Sequence, residues 1–145
     1  MSARNGSTQQ IPLSPGAELP TLTRQVTQDL IDGWAELSGD FNPLHTDVEY
    51  ARSTRFGGTI AHGHISLCWL LEMLFGVAGD SWLTTGSLRN VTFLAPVRPG
   101  ATMAVGGVVT DVDEQHVNCE VWVSDAATQA ECVRGRAVFV TPKAS

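Results

Sequence analysis

Two short stretches of this chain hold most of the side chains able to do chemistry. Ser38-Gly39-Asp40-Phe41-Asn42-Pro43-Leu44-His45 sets a carboxylate and an imidazole five residues apart, with an amide between them. Ile60-Ala61-His62-Gly63-His64 places two further imidazoles around a glycine. Pro43 biases Asn42 toward extended backbone, so residues 40–45 are expected to form a stiff loop rather than a helical turn. Such a loop can aim Asp40 and His45 into one cleft, where a carboxylate and an imidazole together hold a water and move its proton. Gly63 offers a different tool. It stands at the expected start of an apolar helix, where N–H groups lack partners and the macrodipole is positive. With no side chain there, a ligand carbonyl can come close to the backbone. An N–H so placed polarises a thioester or amide carbonyl and steadies the charge that develops on it. Each feature also has a plainer reading: Asp40 as a cap or Asx turn, His45 as a surface imidazole, Gly63 as a flexible helix entry.

Elements of both kinds must position these groups. Residues 19–26 form a weak strand candidate. Thr27 is placed to cap a helix, with Asp29 favourable in its first turn, and Leu30, Ile31, Trp34, Ala35 and Leu37 recur at helical spacing until Gly39 stops it. Thr46-Asp47-Val48-Glu49 fits a capping box, with either Thr46 or Asp47 as the cap. Residues 63–76 are apolar almost all round, the mark of a helix enclosed by something else. The C-terminal half supplies the enclosure. Val117, Cys119, Val121 and Val123 alternate with His116, Asn118, Glu120, Trp122 and Ser124, residues 101–112 and 131–140 are similarly strand-like, and residues 87–95 make a fourth strand. Helices first and strands last predict an α+β domain: a central helix wrapped by a curved antiparallel sheet.

Composition narrows the functional classes. The 145 residues suit one domain, and 43% apolar with 17% charged residues excludes a disordered chain. A net charge of −6 argues against nucleic acid as a partner. Eight of the nine basic residues are Arg, with Lys143 the exception. Cys68, Cys119 and Cys132 show no metal-like spacing and lie in apolar stretches, so all three are expected to be buried structural thiols in a reducing compartment. Residues 1–16 are polar, lack the apolar core of a signal peptide and read as a flexible tail ahead of a domain over 17–142. The longest apolar run, Ile65-Ser66-Leu67-Cys68-Trp69-Leu70-Leu71, is far short of the ~20 residues that span a bilayer, so a cytoplasmic protein without a membrane partner is expected. The four tryptophans read as packing residues, with Trp69 a candidate wall of a substrate tunnel.

The 38–45 segment, followed by Ala51, Phe56 and Ile60-Ala61-His62-Gly63, resembles the hydratase motif of the MaoC-like dehydratases, the (R)-specific enoyl-CoA hydratase family. Val91-Thr92-Phe93-Leu94-Ala95-Pro96-Val97-Arg98-Pro99-Gly100 is similar to a later strand and turn of the same family. The likeness runs over residues 19–140. It implies the hot-dog fold, in agreement with the helix-and-sheet reading. It also implies reversible hydration of a trans-2-enoyl thioester to an (R)-3-hydroxyacyl thioester, with Asp40 and His45 as catalytic residues and the Gly63 N–H as oxyanion donor. Asn42 then shapes the substrate site, and His62 falls on a position expected to anchor the loop. His64 departs from the apolar residue common there and is expected to narrow or polarise the pocket floor. No metal or redox cofactor is called for, since the thioester itself acidifies C2; coenzyme A or phosphopantetheine is the substrate's carrier. A homodimer with the site near its interface is the default assembly, and an acyl carrier protein is a further candidate partner. Arg52, Arg55, Arg89, Arg98, Arg134 and Arg136 are candidates for the phosphates of such a carrier.

Three other readings compete. A hot-dog thioesterase would have no need of the Asp40–Asn42–His45 spacing. A non-catalytic acyl-thioester-binding domain would bind without turnover. A metal site from Asp40, His45, His62 and His64 rests on His-x-His spacing alone, with no Cys or Glu ligand nearby.

Overall fold

The computed structural model describes residues 11–143. Its elements run β1 (Leu22–Gln25), α1 (Gln28–Ser38), α2 (Pro43–Thr46), α3 (Val48–Arg52), α4 (Gly63–Ala78), α5 (Asp80–Thr85), β2 (Ser87–Phe93), β3 (Thr102–Val112), β4 (His116–Asp125) and β5 (Glu131–Val140). The strands form one five-stranded sheet in the order β1-β3-β4-β5-β2, every neighbouring pair antiparallel. This is the expected α+β hot-dog architecture, with β1 and β2 at the edges.

Alternation decides which face of the sheet meets the helix. Val117, Cys119, Val121 and Val123 are all buried, and β5 adds Val133, Ala137 and Phe139 from the same side. Against them α4 sets Ile65, Trp69, Leu70, Met73, Leu74 and Val77. Trp69 therefore belongs to the core, and it is absent from the cavity walls described below. The local signals at the helix ends behave as their chemistry dictates. Thr27 Oγ1 accepts the Leu30 N–H at 3.1 Å, and Gly39 closes α1 in the left-handed region at φ 79°. Asp47 is the cap of α3, its Oδ1 accepting the Tyr50 N–H at 3.0 Å.

Three expectations are corrected. The apolar helix α4 is enclosed on one side only: Leu71 and Phe75 are 40% and 46% exposed, because a single sheet covers half a helix. Cys68 lies on that outer side and is exposed, whereas Cys119 and Cys132 are buried as expected. Residues 40–45 are not loop throughout. Asn42 is extended (φ −52°, ψ 126°), yet it serves as the N-cap of α2, with Pro43 at the first helical position where a missing N–H costs nothing. The short helix α5 had no sequence expectation; its Trp82 packs edge-on against Phe139, with ring centroids 6.3 Å apart. Residues 1–10 lie outside the described residues, and ordered packing begins ahead of the expected boundary at 16. Ile11 and Leu13 lie against the core, and the Gly16 N–H donates to the Val109 carbonyl at 2.8 Å. Among the described residues no helix is long and apolar enough to cross a membrane.

Candidate active site

The site gathers where α2 and the N-terminus of α4 meet. His45 sits in α2, and its Nδ1 lies 2.7 Å from the Ile60 carbonyl. A carbonyl only accepts, so Nδ1 carries a proton, and the tautomer this fixes leaves Nε2 as the nitrogen able to take one up. His62 caps α4 by position and is buried at 3% exposure. Its Nε2 lies 3.0 Å from the Asp40 main-chain carbonyl, so this nitrogen is the donor and the ring ties the 38–42 segment to the start of α4. That is the anchoring geometry expected of His62. The other nitrogen, Nδ1, is buried and has no hydrogen-bond partner among the described residues. The two imidazoles stack with centroids 3.9 Å apart and an interplanar angle of 27°.

Asp40 follows the left-handed Gly39. Its N–H donates to Ser38 Oγ, and its Oδ1 accepts the Asn42 N–H at 3.2 Å in an Asx turn. The side chain stays 52% exposed, with Oδ2 4.0 Å from His62 Nε2. Ligand atoms of Asp40, His45 and His62 all fall within 4.8 Å of one another. Two groups that share one water at about 2.8 Å each stand roughly 4–5 Å apart, so this spacing suits a bridging water. His64 lies outside the cluster, contrary to the four-residue metal reading. For a cation to take His62 Nε2, that atom would have to leave the Asp40 carbonyl.

A cavity of about 600 Å³ opens beside these groups. His45, His62 and Gly63 line one part of it; Phe56, Leu67, Phe93, Leu94, Pro96 and Val97 make much of the rest apolar. Gly63 opens α4 without any side-chain cap, so its N–H is one of the unpaired donors of the first turn. A Cβ on Gly63 would stand 2.7 Å from Phe93 Cε1, so the aromatic ring is packed directly on the glycine. His64 lines the cavity but is exposed, which puts it at the rim rather than the floor. Asn42 and Asp40 are not among the lining residues. Asn42 accepts the Leu44 N–H at 3.0 Å as helix cap, so its side chain shapes α2. Ser66, almost fully buried, is a polar cavity residue that the sequence reading passed over. Gln28 and Thr59 were passed over as well, and they stand behind the cavity wall rather than in it. Gln28 Nε2 donates to the His45 carbonyl at 2.8 Å, and Thr59 Oγ1 donates to Gln28 Oε1 at 2.7 Å. Spacing could not reveal either, because their partners come from elsewhere in the chain and one is a main-chain carbonyl.

Residues 10–131 match the sequence profile of the MaoC like domain. The chain belongs to that family. The 3-hydroxyacyl-thioester dehydratase Z of Mycobacterium tuberculosis is 30% identical over 92 residues, 61% of each chain. The (R)-specific enoyl-CoA hydratase of Rhodospirillum rubrum is 33% identical over 98 residues, 63% of this chain and 65% of that one. The chain thus matches a little under two thirds of the length of either relative. Among solved structures, the (R)-hydratase from A. caviae involved in PHA biosynthesis superposes with a TM-score of 0.77 at 25% identity, covering 90% of this chain and 98% of that one. The MaoC-like resemblance and the hot-dog fold expected from the motif residues are thereby borne out.

Proposed function

We propose that this MaoC-like protein reversibly adds water to a trans-2-enoyl thioester, yielding an (R)-3-hydroxyacyl thioester. The observation that carries the reading is the cluster of Asp40, His45 and His62 donor atoms within 4.8 Å, beside the Gly63 helix start on a largely apolar cavity. The Gly63 N–H takes the thioester carbonyl and draws electron density from C3. Asp40 and the bare Nε2 of His45 hold the water, whose oxygen bonds to C3. The water's proton goes to C2 on the same face, so the two bonds formed balance the π bond and the O–H bond lost. Elimination runs the same steps backward. The names of the relatives support this reaction class, and no step asks for a metal or redox cofactor. Chelators are expected to leave the rate unchanged.

The apolar lining supports an acyl chain as the buried part of the substrate. Arg55, exposed on the cavity wall and without an acidic partner among the described residues, supports a phosphate-bearing carrier such as coenzyme A or phosphopantetheine. A homodimer fits the exposed edge strand β2 and the uncovered Leu71, Phe75, Phe93 and Leu94. An acyl carrier protein stays an alternative donor of the thioester. The test is incubation of the purified protein with crotonyl-CoA, following loss of the conjugated absorbance and the chirality of the 3-hydroxybutyryl product. Hydration to the (R)-product is expected. Release of free thiol without hydration, binding without turnover, or an (S)-product overturns the proposal.

A further inference from the structure

We infer that Gln28 is a positioning residue, fixing where His45 stands by joining its main chain to the segment that carries the rest of the site. The inference rests on the reading of His45 as the imidazole that handles the water's proton. Its starting point is what holds α2 in place. The helix is four residues long and buries none of them fully, so packing on His45 is limited to its half-buried neighbours and the stack on His62. Hydrogen bonds supply the directed part, beginning with the Ile60 N–H, which donates to the Leu44 carbonyl at 3.3 Å. The ring is held from one side by Ile60, whose carbonyl takes the Nδ1–H. The main chain is held from the other side by Gln28, whose Nε2 donates to the His45 carbonyl at 2.8 Å. Gln28 Oε1 accepts from Thr59 Oγ1 at 2.7 Å, and Thr59 directly precedes Ile60 in sequence. These links close a ring: Gln28, His45 main chain, His45 imidazole, Ile60, Thr59 and back to Gln28.

The amide is the one side-chain group suited to this place. The His45 carbonyl and the Asp32 carboxylate, whose Oδ1 is 2.9 Å from Nε2, can only accept, so the NH₂ must face both. The remaining oxygen then meets the Thr59 hydroxyl, which donates. All three bonds run in the direction this requires. The base of the strut is firm. Gln28 is the first residue of α1, whose Ile31 and Ala35 are fully buried, and Thr59 is itself buried. A lightly packed turn, already bonded to Ile60, is thus tied to two anchored elements through the Gln28 side chain.

Gln28→Glu is the informative variant. It keeps the shape and adds a negative charge at the start of α1, where the helix dipole welcomes it. It also removes both donors and points acceptors at the His45 carbonyl and Asp32. A residue that merely fills space would tolerate Gln28→Glu better than Gln28→Ala; a positioning residue reverses that order. Misplacement of a reacting group by about 1 Å costs up to about 10²-fold, so a loss of about 10- to 100-fold in kcat is expected, with KM near the parent's. Thr59→Val is expected to lower kcat about tenfold and Thr59→Ser to retain it. Combining Thr59→Val with Gln28→Glu should cost no more than Gln28→Glu alone, because both break one ring. The ¹⁵N signals of the His45 imidazole should shift in Gln28→Glu while those of His116 stay fixed. Parental kcat in both Gln28 variants beside an inactive His45→Ala overturns the inference, as do losses confined to KM or losses that multiply. If the Gln28 variants do not fold, parental kcat in Thr59→Val overturns it. If His45→Ala proves as active as the parent, the functional reading of His45 falls; the imidazole signals then decide the positioning claim alone, and unchanged signals overturn it.

Discussion

The two walls of the site are held by different forces. On one side stands Gly63, at the head of a helix whose Leu70 and Leu74 are fully buried against the sheet. On the other stands His45, in a four-residue helix that buries no residue fully and is held largely by hydrogen bonds to Ile60 and Gln28. Apolar burial is non-directional and spread over many contacts, so the first wall is stable but indifferent to any one polar bond. Each hydrogen bond contributes only about 1 kcal/mol net but fixes a direction, so the second wall is precise and lightly held. Substitutions on the α4 side should therefore cost stability first, and substitutions on the α2 side should cost rate first.

The largest effects test that division directly. Asp40→Asn and His45→Ala are expected to lower kcat by about 10²- to 10⁴-fold, the usual worth of a positioned acid or base. Because Asp40 is half exposed and α2 contributes no buried residue, the thermal midpoints should stay near the parent's. A parental hydration rate in either variant removes these groups from the chemistry. Leu74→Ala is expected to do the opposite. Truncating a fully buried leucine costs about 2–5 kcal/mol in unfolding free energy, measured by urea titration, while the molecules still folded should turn over close to normally. A kcat loss in Leu74→Ala without a stability loss would erase the distinction between the walls.

Gly63→Ala lies between these extremes, since it touches the site from the rigid side. The added methyl would stand 2.7 Å from Phe93 Cε1, so the ring must turn away and the cavity wall must change. A fall of about tenfold in kcat/KM is expected, with a modest drop in stability. Phe93→Leu in the same chain should restore part of the loss by making room. If Gly63→Ala is silent, close approach to this backbone is not part of the chemistry.

The same contrast explains what could be read before any coordinates. The sheet was visible in β4, because alternation alone sends Val117, Cys119, Val121 and Val123 to one face, and all four are buried. The cap at Thr27 was visible, and the second was narrowed to Thr46 or Asp47, because a cap is a local bond within three residues. The types and spacing of Asp40, His45, His62 and Gly63 singled out residues that the fold brings together for the same reason. What escaped was long-range or one-sided. The periodicity of α4 shows that every side is apolar, but not that only one sheet is there to cover it. Pro43 announces an extended Asn42, yet the same ring preorganises a helical first turn, and the residues after it took that course. Gln28 meets His45 across 17 residues and Thr59 across 31, and no local pattern reports such a pairing.

The smallest effect probes the outer side of α4 against the inner side of the sheet. Cys68 is exposed, while Cys119 and Cys132 are buried. Burial pushes the Cys119 thiol up to about 11 and raises Cys132 as well, with the charge of Asp125 adding to the latter. Cys68 is also raised, again by partial burial. A raised thiol pKa means less thiolate at any given pH, so alkylation of all three should be slow near neutrality and quicken as pH rises. In the folded protein Cys68 should be labelled by iodoacetamide first, with little change in stability, and the other two only after denaturant exposes them. Equal labelling of Cys119 and Cys68 under native conditions would show that the sheet's inner face opens far more readily than its packing implies. A second copy of the chain on the outer face of α4 has its own signature in this assay. Cys68 labelling should then slow as protein concentration rises, while the denaturant dependence of Cys119 and Cys132 keeps its order.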